Sequence, residues 1–207
     1  MKQSNLLNTP IILASQSPRR REILSMLEIP FTVLVSGADE TCDSALSSAE
    51  RVQLFARRKA EAVAALPEAK NSIVIAADTL VEAPNGEILG KPTDEADALR
   101  MLNLLAGSTH AVYSGVALTI DGVTTTTFAR TEVVFRPAEQ AELLAYLATG
   151  EPLDKAGAYG IQERGAIFVK EFHGEYFNVV GLPVHALDEL WFSRTGLRLS
   201  ALATAVN

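Results

Sequence analysis

The order of apolar and polar positions predicts short strands interleaved with amphipathic helices. Ile11-Ile12-Leu13-Ala14 is a buried strand-like run leading directly into Ser15-Gln16-Ser17-Pro18-Arg19-Arg20. Ser17 suits a helix N-cap and Pro18 a first helical position, so a helix is expected there with Ile23, Leu24 and Leu27 as its apolar face. Residues 31–35 alternate like a second strand. Ser47-Ser48-Ala49-Glu50 has the form of a capping box opening a helix to about Leu66. The β-branched run at 72–77 is expected to stop at Asp78-Thr79, and Pro84-Asn85-Gly86 reads as a hairpin turn. Thr93 is expected to cap a helix that Gly107 ends. A long hairpin follows, with arms near 110–120 and 123–135 around Asp121-Gly122. A helix at 138–149 then ends at Gly150. The loop from Asp154 to Gln162 is too glycine-rich and polar for a helix interior. One more hairpin and a helix near 184–193 close the pattern.

Strands and helices mix without a regular βαβ alternation, which points to α/β with a mixed, strongly curved sheet flanked by helices. No linker or repeat interrupts the chain. The reading is one domain over residues 1–207, with a core at about 11–192 and a surface tail at 194–207. With 207 residues, 48% of them hydrophobic, the chain can bury a sizeable core. A net charge of −7 argues against a nucleic-acid polymer as partner, because that partner demands a broad basic face. A small polyphosphate needs only a few local cations. Cys42 is the one cysteine, so no intrachain disulfide can form and a reducing, cytoplasmic setting is expected. The apolar run at 11–14 is far too short for a membrane span. His110, His173 and His185 lack zinc-site spacing, so any metal should be a hard cation held by carboxylates.

Several segments combine cations, acids and amides at predicted strand ends and helix starts. The turn at 15–20 places Arg19 and Arg20 at a helix N-terminus, where unpaired N–H groups and guanidinium forks suit phosphate. It reads equally as a capped surface helix. Lys59 falls inside the apolar stripe Val52, Phe55, Ala56, Ala60 and Val63; it either snorkels or turns its ammonium toward a phosphate. Asp78, at an expected strand end, can hold a cation or take a proton from water, or can simply serve a turn. Asp39 and Glu40 form either a second acidic contribution or a solvated loop. Gly90-Lys91-Pro92 adds a cation at a turn. In the loop 154–162, glycines permit close backbone approach, Tyr159 offers a ring, and Gln162 offers a donor and an acceptor; a plain connection is the alternative.

Taken together, Ala14-Ser15-Gln16-Ser17-Pro18-Arg19-Arg20, Ala77-Asp78-Thr79, Gly90-Lys91-Pro92 and Asp154-Lys155-Ala156-Gly157-Ala158-Tyr159-Gly160-Ile161-Gln162 resemble, in order, the signature segments of the Maf family. The resemblance spans about residues 11–191. It implies an elongated, two-lobed fold with a central cleft, related to inosine triphosphatase and often homodimeric. The implied activity is house-cleaning hydrolysis of a nucleoside triphosphate to monophosphate and pyrophosphate with Mg²⁺, Mn²⁺ or Co²⁺. By matching position, Asp78 is the implied proton acceptor, and Arg19, Thr79 and Gln162 are linked to substrate choice. Ser15, Arg20, Lys59 and Lys91 match phosphate-facing cleft positions, and Glu40, Asp78 and Asp154 the acids that would hold metal. The loop ending in Gln162 resembles the dTTP/UTP branch rather than the branch acting on 7-methyl-GTP. Some members are named for effects on cell division or septum formation. The rival expectations are an inosine/xanthosine triphosphate pyrophosphatase and a non-catalytic nucleotide-binding regulator of division.

Overall fold

The computed structural model describes residues 6–35, 37–38, 41–42 and 45–203. Among them, seven strands form one mixed sheet. These are β1 (Ile11–Leu13), β2 (Thr32–Val33), β3 (Ile73–Glu82), β4 (Ile88–Leu89), β5 (Thr109–Ile120), β6 (Val123–Phe135) and β7 (Val169–His173). The order is β2-β1-β3-β5-β6-β7, with β4 paired to β3 off that path. β1 runs parallel to both β2 and β3, whereas β3–β4 and β6–β7 are antiparallel. The helices are α1 (Pro18–Met26), α2 (Ser48–Ala64), α3 (Glu95–Leu105), α4 (Gln140–Leu147), α5 (Tyr176–Val180), α6 (Val184–Thr195) and α7 (Ser200–Ala203).

Local chemistry explains most of these boundaries. Ser47 and Glu50 form the reciprocal capping box at the start of α2. Asp121 and Gly122 take φ values of 51° and 73°, the left-handed pair that a tight two-residue hairpin requires between β5 and β6. Four boundaries differ from the sequence expectation. β3 does not stop at Asp78-Thr79 but continues to Glu82, because β4 pairs with Val81 and Glu82 and supplies a ladder beyond the acid. Asp94, not Thr93, caps α3, its carboxylate accepting from the Asp97 N–H at 2.8 Å. β7 is not one arm of a new hairpin; it pairs back onto β6 and is followed by α5. The described residues beyond Ser193, within the stretch expected as a surface tail, finish α6 and form α7, with Leu199 and Leu202 buried.

Contacts group the described residues into two compact units. The first comprises those of Met1–Asp78, Ser114–Ala129 and Gly181–Asn207. Its core sets Ile12, Ala14, Val74, Ala76 and Ala117 of the sheet against Ala56, Ala60 and Val63 of α2. The second comprises Thr79–Tyr113 and Arg130–Val180. There, Leu102 and Leu105 of α3 and Leu143 and Tyr146 of α4 join Val81, Val112, Val133, Phe135 and Phe168 in a second core. Burial of such side chains stabilises each unit by about 1.5–3 kcal/mol per large aliphatic residue.

Candidate active site

In the first unit, strand periodicity decides where Asp78 points. Side chains alternate along β3, so Asp78 continues the face of Val74 and Ala76, which packs under α2. Lys59 lies on α2 between Ala56 and Ala60, and its Nζ donates to Asp78 Oδ1 at 2.6 Å. Both side chains are largely shielded, at 19% and 15% exposure. Close approach of α2 to β5 sets up this meeting. A Cβ added at Gly115 would stand 2.3 Å from the Val52 carbonyl oxygen, so only glycine lets the helix backbone settle there, two turns before Lys59.

The turn before α1 is also in the first unit. Arg20 is buried; its Nε donates to the Gly181 carbonyl at 2.8 Å and its Nη1 to Ser15 Oγ at 3.0 Å. Ser15 Oγ accepts the Ser17 N–H as well. Arg20 therefore braces the strand-to-helix turn, while neighbouring Arg19 is only half-buried. Glu40 lies outside the described residues, as does Asp39.

The second unit holds Thr79, Lys91, Asp154 and Gln162. Thr79 sits on the opposite face of β3 from Asp78, the face of Val81. The loop at 154–165 is fastened to that strand and to the Lys91 turn through Gly157. Its N–H donates to the Gly90 carbonyl at 3.1 Å, and its Cα packs on Val81. Gly157 at φ 70° and Ala158 at φ 61° are both left-handed. A left-handed alanine costs on the order of 1 kcal/mol and is held there by full burial. Lys91 and Gln162 are exposed.

Tyr159 departs from its expected role as a ring offered to a ligand. It is buried, edge-on to His110 and Phe135 with centroids 5.4 and 4.7 Å away, and its hydroxyl meets His110 Nε2 at 2.9 Å. Burial lowers the His110 pKa from 6.5 to about 4 and pushes the Tyr159 phenol up, so both are neutral near pH 7. Glu151, which no sequence motif marks, anchors the loop. Its Oε1 accepts from Tyr146 Oη at 2.7 Å and the Gly165 N–H at 3.1 Å, and its Oε2 from the Arg164 N–H at 3.0 Å. Nothing in a Gly-Glu-Pro sequence announces a carboxylate aimed at a loop thirteen residues on.

Among the described residues no three acidic, imidazole or thiol groups converge into a metal cage. Asp78 nonetheless supplies hard oxygen on a rigid strand. Mg²⁺-like ions are commonly held by one or two carboxylates together with substrate phosphates, so the donor chemistry fits a cation that arrives with a polyphosphate. Asp154 has its Oδ1 against Lys155 Nζ at 2.8 Å. Among the described residues no helix is long and apolar enough to cross a membrane.

Comparison with known proteins places the chain among relatives. The dTTP/UTP pyrophosphatase of Bacillus cytotoxicus is 51% identical over 176 residues, covering 85% of this chain and 91% of that protein. The protein of the same name from Salinibacter ruber is 50% identical over 184 residues, covering 87% and 89%. The solved Staphylococcus aureus Ham1 protein aligns with a TM-score of 0.45 at 19% identity, over 61% of this chain and 72% of that one, too loose a likeness to bear on function. The family described as Maf-like protein matches residues 10–192, which takes in every candidate site residue named above. The chain belongs to the Maf-like protein family.

Proposed function

We propose that this protein is a nucleoside triphosphate pyrophosphatase that hydrolyses dTTP and UTP to the monophosphate and pyrophosphate. The observation that carries the proposal is the half-identity, over nearly their whole length, to proteins named for that activity. The geometry suits it. Lys59 holds the Asp78 carboxylate in one orientation on a rigid strand, as a group that accepts a proton from water must be held. Water attacks the α-phosphorus, its proton passes to Asp78, the α–β anhydride bond breaks, and pyrophosphate leaves with the bond electrons. Arg19, Lys59 and Lys91, with the turn braced by Ser15 and Arg20, offset negative charge on the triphosphate. Thr79 and Gln162 contribute a hydroxyl and an amide, the donor and acceptor types that read a pyrimidine edge.

Asp78 would hold a divalent cation (Mg²⁺, Mn²⁺ or Co²⁺), which would supply charge neutralisation on the phosphate oxygens; Glu40 and Asp154 remain candidate carboxylates for it. The working form is taken to be a cytoplasmic homodimer. Hydrolysis in ¹⁸O-water tests the bond assignment. Attack at the α-phosphorus puts the label in the nucleoside monophosphate, whereas label in pyrophosphate would refute the proposed step.

A further inference from the structure

The second unit buries one lysine, to which the proposed chemistry gives no task. Lys155 is 4% exposed, yet its ammonium donates two hydrogen bonds and makes a further ion pair. Nζ lies 2.9 Å from the Glu151 carbonyl oxygen, 2.8 Å from Asp154 Oδ1 and 3.3 Å from Glu163 Oε1. The first two partners are local in the chain. Glu163 is not: it follows Gln162 directly, so this ion pair reaches across the loop to the residue beside the amide.

The segment being reached is a small closed turn. The Glu163 N–H donates to the Gly160 carbonyl, and a Cβ at Gly165 would stand 2.9 Å from both the nitrogen and the oxygen of Gly160. The Gly160 N–H donates to Tyr146 Oη, which in turn donates to Glu151. Gln162 stands at the exposed apex of that turn. One base of the turn is fixed by Glu151, through the Arg164 and Gly165 N–H groups. The other rests on the Lys155 stem, since a Cβ at Gly160 would come within 2.6 Å of Lys155 Cε.

We propose that Lys155 is a positioning residue for substrate choice: by tying Asp154 to Glu163 beneath the 160–165 turn, it fixes where the Gln162 amide is presented. This rests on the function proposed above, in which Gln162 reads the base. A hydrogen-bonding site discriminates by geometry, so an amide free to wander loses selectivity before it loses substrate. Removal of the ammonium strands no buried charge, because Asp154 and Glu163 are 63% and 46% exposed and can be solvated.

The test compares kcat/KM for dTTP against GTP in the parent, Lys155→Met, Gln162→Ala and the double variant, with thermal melts alongside. Lys155→Met is expected to lower the dTTP:GTP ratio roughly tenfold, as Gln162→Ala does, the amount one directed hydrogen bond supplies. In the Gln162→Ala background it is expected to lower the ratio no further, because both changes remove the same reading. If Lys155→Met does not fold, Glu163→Ala cuts the same tie from the solvent side and is expected to lower the ratio likewise. A Lys155→Met or Glu163→Ala protein slowed equally on both nucleotides, its ratio parental, would overturn the inference and leave the pyrophosphatase function standing. So would losses that simply add to Gln162→Ala, or a Gln162→Ala protein with the parental ratio. A parent inactive on dTTP and UTP would overturn the function, and this inference with it.

Discussion

Asp78 and Lys59 occupy positions where a strand and a helix would ordinarily carry apolar groups, and each makes the other tolerable there. A carboxylate behind Val74 and Ala76 would be costly unpaired, and the ammonium at 2.6 Å offsets that cost. Asp78→Asn keeps size and hydrogen bonding but removes the basic oxygen. It is expected to lower kcat by about 10²–10⁴, the span of one general base, while nucleotide binding measured by calorimetry persists. Turnover at the parental rate would remove Asp78 from the chemistry. His110 gives a second residue-level expectation, this one about stability. Its folded pKa of about 4 lies below the unfolded 6.5, so the unfolded chain binds the extra proton first as pH falls. The stabilisation is complete above pH 6.5 and is lost as pH drops toward 4, by roughly 2–4 kcal/mol in all. Urea midpoints at pH 7 and pH 5 should therefore differ more in the parent than in His110→Gln. Equal differences would show that another group governs this range.

At the scale of elements, what could be read from the sequence was what local chemistry decides. The Ser47–Glu50 box satisfies backbone groups within a few residues, Pro18 opens its helix at the first position although Ser17 makes no side-chain cap bond, and Asp121-Gly122 takes the left-handed turn; all three stand where expected. Other features depended on partners far along the chain. β3 continues past Asp78 because β4 pairs with it, β7 finds β6 some forty residues back, and Tyr159 turns inward because His110 and Phe135 offer it a pocket. The candidate site divides in the same way. Its residues could be named from their segments, but the Lys59–Asp78 contact and the Glu151 anchor could not. Gly115 belongs to this hidden part, for no local pattern says that α2 crosses β5 there. Gly115→Val is expected to push α2 away at Val52, break the contact two turns on, and reduce turnover at least as far as Asp78→Asn does. A Gly115→Val protein with parental turnover would show that the Lys59–Asp78 contact does not depend on this crossing.

At the scale of the whole molecule, two compact units share one sheet, since β3, β5 and β6 each contribute residues to both. The acid and its lysine belong to one unit and the Gln162 loop to the other. That division separates turnover from selectivity: changes around Asp78 should act on rate, and changes around Gln162 on choice of base. The most direct test is pyrophosphate release from dTTP, UTP, CTP, GTP, 7-methyl-GTP and ITP, each with Mg²⁺ or Mn²⁺ and with EDTA. The proposed function predicts turnover of dTTP and UTP that EDTA abolishes, with little from the others. Preferential turnover of ITP or 7-methyl-GTP, or nucleotide bound with no pyrophosphate released, would contradict it.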